Sequence, residues 1–72
     1  MVMTVSANPV LGKKLKKIRE EKNMSQEDVA KAAGVSVGYY ARVERGKHDP
    51  TTTKFTKICK ALKVNPAEIL SK

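Results

Sequence analysis

Residues 25–45 read SQEDVAKAAGVSVGYYARVER, and this string contains two short helical segments separated by a glycine. Ser25 is a typical N-cap. The carboxylate of Asp28, three residues later, can accept a hydrogen bond from the amide of Ser25, which predicts a capping box. Gly34 stands where a helix ends in the left-handed conformation. Ser36 is an N-cap for the segment that follows. Two short helices joined by a tight glycine-containing turn are typical of a helix-turn-helix.

Further helical segments are predicted on both sides of this string. Pro9 begins the first, Thr51 caps the fourth, and Pro66 begins the last. The first segment has apolar residues at the spacing of one helical face, Leu11, Leu15 and Ile18. No segment alternates with a period of two residues. We therefore expect an all-α domain of five short helices over residues 9–72, preceded by a flexible leader, residues 1–8.

Composition narrows the class of protein. The chain has 72 residues, with 15 Lys or Arg against 7 Asp or Glu and a formal net charge of +8. A domain of this size buries only about 60% of the surface of its unfolded chain, which argues against a multidomain enzyme with a deep cavity. The positive charge favours a polyanionic partner. One cysteine and no long apolar run predict a cytoplasmic protein without a membrane partner.

Several motifs match one family at consistent spacing. They are MSQEDVA at 24–30, AGVS at 33–36, RVERGK at 42–47, the Asp49-Pro50 turn and ALKVNP at 61–66. From about Leu11 to Leu70 the chain closely resembles the Cro and phage-repressor (XRE-type) family of DNA-binding domains. The resemblance implies a five-helix, lambda-repressor-like fold with a helix-turn-helix. It also implies a homodimer that binds a palindromic operator in double-stranded DNA.

The resemblance assigns base reading to the third helix, residues 37–45. Val37, Gly38 and Arg42 match the positions that touch base edges, with Tyr39 beside them. Arg42 can make a bidentate contact to guanine, and Val37 can meet a thymine methyl. Glycine inside a helix costs about 1 kcal/mol relative to alanine. Close approach of the backbone to DNA would explain Gly38, and so would a frayed first turn.

The two tyrosines of this helix have different expected roles. Tyr40 takes a position usually held by Ile or Leu, so we expect it in the core. The hydroxyl of Tyr39 either contacts a base or phosphate or is buried against the first helix. Cys59 lies on the apolar face of the fourth helix, where a buried thiol behaves as a small hydrophobic residue.

Phosphate contacts are expected at helix N-termini, where unpaired amides face outward, and just after the third helix. The predicted residues are Ser25, Gln26, Ser36, Arg45, Lys47 and Thr51. The cations between Lys13 and Arg19 admit three interpretations: a DNA flank, a membrane-surface helix or a solvated face. We favour a solvated face that attracts DNA at long range, because the apolar residues of this helix are needed for the core.

Two structural roles follow from the resemblance. Arg19 and Glu44 match a pair that forms a salt bridge between the first and third helices. The dimer interface is expected around the last helices, at Val64, Pro66, Ile69 and Leu70. The alternative is that these four residues complete the core of the monomer.

The sequence contains no nucleophile–base pair, metal-ligand cluster or glycine-rich phosphate loop, so we expect no catalytic residues, metal, cofactor or small-molecule substrate. It predicts a sequence-specific, double-stranded DNA-binding transcription regulator, a dimeric repressor or controller. The alternative is an antitoxin-type module that binds a protein partner and also regulates its own operon.

Overall fold

The computed structural model describes residues 9–70, with the side chains of residues 10–69. Five helices follow one another in this range: α1 Pro9–Glu21, α2 Gln26–Ala33, α3 Val37–Glu44, α4 Thr52–Leu62 and α5 Pro66–Leu70. The same range contains no strand, so the all-α, five-helix prediction is confirmed. The predicted leader, residues 1–8, and the last two residues of the predicted domain lie outside the described residues.

Three serine or threonine hydroxyls fix where helices begin. Ser25 Oγ accepts from the amide of Asp28 and Asp28 Oδ2 accepts from the amide of Ser25, both at 2.9 Å, so the predicted capping box is present. Ser36 and Thr51 accept from the amide three residues on, at 3.0 and 3.2 Å. Each hydroxyl satisfies an amide that has no partner within its helix.

Residues in the left-handed conformation follow four of the helices, and the one after α3 is Gly46, with φ of 75°. Asn23 after α1 has φ of 57°, and Gly34 after α2 has φ of 75°, which is the left-handed conformation predicted for this glycine. Lys63, with φ of 59°, ends α4 without the glycine that usually marks such a position. The third helix ends at Glu44, one residue earlier than predicted, because Arg45 caps it and begins the turn.

Side chains from all five helices form one apolar core. α2 packs on α3 and α4, while α1 packs on α3 and α5. Tyr40 is fully buried, which confirms its predicted place. Cys59 is also buried, and desolvation raises the pKa of its thiol to about 11, so the thiol stays protonated near neutral pH. The core consists of Leu15, Val29, Ala30, Ala33, Tyr40, Val43, Phe55, Ile58, Cys59, Leu62 and Ile69.

At Gly12, helix α1 comes close to the backbone at the end of α3. A Cβ atom at this position would lie 2.6 Å from the carbonyl oxygen of Val43 and closer still to that of Glu44. These neighbours are backbone atoms that cannot rotate away, so only glycine permits this crossing. The sequence pattern assigns no role to Gly12, because a glycine within a helical pattern does not show what packs against it.

Candidate nucleic-acid interface

Helix α3 has one face in the core and one face in solvent. Tyr40, Val43 and Glu44 are buried. On the other side Ser36, Val37, Gly38 and Arg42 are exposed, and Val37 is 43% exposed although it is a large apolar residue. The structure thus places these predicted contact residues on one accessible surface. Their contact with bases stays a prediction.

No packing contact within residues 9–70 requires glycine at position 38. A Cβ atom there would meet no atom within 4 Å. The first turn of α3 is helical and is capped by Ser36, so a frayed turn does not explain the residue. Close approach of the backbone to an external partner is the explanation that stays open.

Tyr39 does not present its hydroxyl to this surface, which corrects its predicted base contact. The hydroxyl oxygen is buried, and its ring meets that of His48 edge-on with centroids 4.8 Å apart. Lys54 Nζ lies 5.4 Å from the centroid of the Tyr39 ring. Burial raises the pKa of the phenol. The side chain therefore packs on the segment after α3 and on α4, where the ring has aromatic and cationic neighbours.

Arg19 joins α1 to the end of α3 through Glu44. Arg19 Nε donates to Oε2 at 2.6 Å and Nη2 donates to Oε1 at 3.2 Å. The Glu44 side chain is 2% exposed and that of Arg19 is 12% exposed. Arg19 Nη1 also donates to the carbonyl of Met24 at 2.8 Å. The predicted ion pair is present, and it holds α1, the loop before α2 and α3 together.

Gln26, the first residue of α2, joins the same network. Its Nε2 donates to Glu44 Oε1 at 3.0 Å. This contact was not predicted, because nothing in the local sequence shows that residues 18 positions apart will meet. The amide keeps a second N–H and its carbonyl oxygen. Gln26 can therefore hold Glu44 and still face a phosphate.

The network keeps Glu44 ionised. Burial alone would raise the pKa of its carboxyl. The hydrogen bonds from Arg19 and Gln26, together with the neighbouring Tyr40 hydroxyl, outweigh burial and hold this pKa below its ordinary value. The hydrogen bond with Glu44 raises the pKa of Arg19 in turn. Arg19 and Glu44 are therefore both ionised, and together they carry no net charge.

The other predicted phosphate residues either cap α2, α3 and α4 or follow α3. The hydroxyls of Ser25, Ser36 and Thr51 accept from amides as caps, and a hydroxyl in that role can still donate its hydrogen to a phosphate. Arg45 and Lys47 are exposed just after α3. Phosphate contact by all these residues stays a prediction.

A cleft of about 490 Å³ lies between α1 and the turn after α3. It brings three predicted phosphate residues beside two lysines of α1, and its lining is Lys13, Lys16, Gln26, Glu44, Arg45 and Lys47. Lys14 has a different role, because its Nζ donates to the carbonyl of Ile69 at 3.0 Å and ties α1 to α5. The lysines of α1 are therefore not a uniform solvated face.

The predicted dimer residues do not share one environment. Ile69 is 2% exposed within the core of the monomer, so its predicted role at a dimer interface is corrected. It anchors the five-residue helix α5 to the core, which leaves its side chain unavailable to a second chain. Val64 and Pro66 are half-buried, and the side chain of Leu70 lies outside the described atoms. An interface at these three residues stays a prediction.

Residues 9–70 bring together no group of three His, Cys, Asp or Glu side chains that could hold a metal ion. Within the same range, no helix is both long and apolar enough to cross a membrane. The surface around α3 presents cations, hydroxyls and helix N-termini, and these are groups that bind phosphate.

The helix-turn-helix family model matches residues 15–69, which include α2, α3 and the turn between them. Control protein C.BamHI of Bacillus amyloliquefaciens is 36% identical over 69 residues, which are 94% of this chain and 85% of that protein. The sequence similarity thus extends over most of both proteins.

Solved structures give the same result. The restriction-modification controller protein C.AhdI from Aeromonas hydrophila has a TM-score of 0.84 at 31% identity, covering 86% of this chain and 94% of that chain. The clp gene regulator ClgR from C. glutamicum has a TM-score of 0.83 at 28% identity, covering 93% of this chain and 87% of that chain. The likeness concerns the whole arrangement of helices and not the two helices of the motif alone.

Proposed function

This chain belongs to the helix-turn-helix family and is a DNA-binding transcription regulator, and we propose that it reads a palindromic operator in double-stranded DNA as a homodimer. The observation that carries this proposal is the exposed side of α3. Val37, Gly38 and Arg42 face outward there, while Tyr40 and Val43 hold the opposite side in the core. The major groove, about 12 Å wide, admits one helix presented in this way.

The roles of the residues divide between specificity and affinity. Arg42 supplies the bidentate contact to guanine, and Val37 meets a thymine methyl. Gly38 allows the start of α3 to approach the DNA closely. The cap hydroxyls, Gln26 and the cations after α3 bind phosphates and set the position of α3 without reading sequence.

The regulator acts as a repressor or controller by occupying its operator in the cytoplasm, through binding rather than catalysis. Two copies related by a two-fold axis present their α3 helices to two half-sites about 10 bp apart, centre to centre. Val64, Pro66 and Leu70 are the candidate contacts between the copies. The protein concentration then determines how much dimer is present, and the amount of dimer sets operator occupancy.

Selection of bound sites from a random duplex library tests this function. The expected product is one palindromic motif whose half-sites are about one helical turn apart. An Arg42→Ala chain serves as the matched control, because it keeps the phosphate residues and should enrich a more degenerate motif. Recovery of no motif at low salt would contradict the proposal, and so would a strictly monomeric species in sedimentation at micromolar concentration.

A further inference from the structure

The cleft between α1 and the turn after α3 concentrates positive charge beside the surface assigned to DNA. Lys13 and Lys16 form one side, and Arg45 and Lys47 form the other. All four side chains are exposed, and none forms an ion pair with a residue of the described range. Four cationic side chains thus line one cleft, and no carboxylate of the described range pairs with any of them.

The single carboxylate of the cleft does not oppose an anion. Glu44 is 2% exposed and is engaged by Arg19 through two hydrogen bonds. Gln26 donates to the same carboxylate and covers it from the side of α2. Because the Arg19 charge cancels that of Glu44, the four peripheral cations determine the sign of the potential in the cleft.

The spacing on α1 suits one shared ligand. Lys13 and Lys16 are three residues apart, so they lie on the same face of the helix and are separated by about 4.5 Å along its axis. Lys14, between them, points elsewhere and binds the carbonyl of Ile69. Neighbouring lysines of α1 therefore have different roles: Lys14 makes a structural contact, whereas Lys13 and Lys16 line the cleft. This arrangement is more specific than the long-range attraction expected from net charge alone.

We propose that Lys13 and Lys16, opposite Arg45 and Lys47, clamp a phosphate of the DNA backbone in this cleft, so that α1 is itself part of the DNA contact. The proposal rests on the proposed function, because Gln26, Arg45 and Lys47 place the cleft at the DNA surface. It adds a contact on a third helix, outside the helix-turn-helix. Such a contact contributes affinity on every sequence and no base preference.

The test compares two double variants that lose the same charge. Lys13→Gln/Lys16→Gln removes the α1 side of the cleft, while Lys57→Gln/Lys60→Gln removes two exposed lysines of α4 that do not line it. Binding to a random-sequence duplex is measured over a range of salt concentrations. The first variant should bind about tenfold more weakly at moderate salt, with a salt slope shallower by about 0.9 for each lost phosphate contact.

The control distinguishes a local contact from general attraction. The Lys57→Gln/Lys60→Gln variant should keep nearly the wild-type slope, and Lys13→Arg/Lys16→Arg should restore it. Equal losses for the two Gln variants would overturn the proposal, since only net charge would then matter. A wild-type chain that binds no duplex even at low salt would refute the proposed function itself, which is a separate outcome.

A further experiment distinguishes binding of a DNA phosphate from binding of free inorganic phosphate. Inorganic phosphate replaces chloride at equal ionic strength while thermal unfolding is followed by circular dichroism. We expect wild type and Lys13→Gln/Lys16→Gln to shift alike. Stabilisation of the wild type alone would show that the cleft takes a free anion, and it would overturn the assignment to DNA.

Discussion

Arg19 and Glu44 meet through two hydrogen bonds, of 2.6 and 3.2 Å, although they belong to different helices. The pair joins the same two helices whose backbones come close at Gly12. Glu44 also receives Gln26 from α2. Three helices thus meet at one carboxylate, and we expect these contacts to help fix the orientation of α3.

The side chains of Arg19 and Glu44 are buried to different extents. We therefore expect that removing one or the other lowers the free energy of unfolding by different amounts. Arg19→Met leaves a carboxylate that is 2% exposed without its cation, and we expect a loss of about 3–5 kcal/mol in the free energy of unfolding. Glu44→Gln leaves a more exposed guanidinium and should cost less. The double variant should cost less than the sum of the single variants, by about 0.5–3 kcal/mol. Urea unfolding measures all three, with exposed Arg45→Met as the control, and strict additivity would contradict the coupling.

The carboxylates of the fold predict loss of stability in acid. The pKa of Glu44 lies below its ordinary value in the folded state, and so does that of Asp28 because of its hydrogen bonds with Ser25. A carboxyl whose pKa is lower when folded stabilises the protein above its unfolded pKa and loses this contribution as pH falls. The free energy of unfolding should therefore decline from pH 4.5 downward. Glu44→Gln should make this decline shallower, whereas an unchanged decline would exclude Glu44 as a source.

Two glycines offer a matched pair of substitutions. At Gly12 a Cβ atom would overlap backbone carbonyls, so Gly12→Ala should lower the free energy of unfolding by about 1–3 kcal/mol. At Gly38 the space is open, so Gly38→Ala should raise it by up to about 1 kcal/mol. Thermal unfolding of both variants measures the difference. Equal effects at the two positions would mean that α1 and α3 can separate without cost.

The local parts of the fold could be predicted from the sequence. Ser25, Ser36 and Thr51 cap helices because the bonds they make reach only three residues along the chain. Asn23 and Gly34 end helices because these residue types tolerate positive φ. The family motif adds the ion pair of Arg19 and Glu44, which no local pattern contains.

Contacts that depend on tertiary packing were not predictable in the same way. Tyr39 can face either solvent or the segment after α3, and only the path of that segment places its hydroxyl inside. Ile69 has the same apolar character as a dimer contact, but the packing of α5 on α1 and α4 places it in the core. The sequence pattern does not distinguish Lys14 from Lys16. In the structure, Lys14 donates a hydrogen bond to the carbonyl of Ile69 in α5, whereas Lys16 lines the cleft.

The buried hydroxyl of Tyr39 predicts that it has no part in DNA binding. Tyr39→Phe removes an oxygen that has no hydrogen-bond partner in the described structure, so the free energy of unfolding should change by no more than about 0.5 kcal/mol. Affinity for the selected operator should stay at the wild-type value. Tyr39→Ala is the contrasting variant, since it removes the ring beside His48 and Lys54 and should destabilise the protein. A loss of operator affinity in Tyr39→Phe would show that the hydroxyl reaches DNA.

Removal of Arg42 should lower specificity, whereas removal of Lys47 should lower affinity and leave specificity unchanged. Both are exposed, so their removal should leave the fold intact. Arg42→Ala should cost about 1–3 kcal/mol of operator binding and relax the preference at one base pair in each half-site, because a bidentate contact to guanine is lost. Lys47→Ala should weaken operator and random DNA by the same factor and reduce the salt slope by about 1. Binding isotherms for both duplexes over a salt series measure the two effects, and equal losses on both duplexes for both variants would refute the division between base reading and phosphate contact.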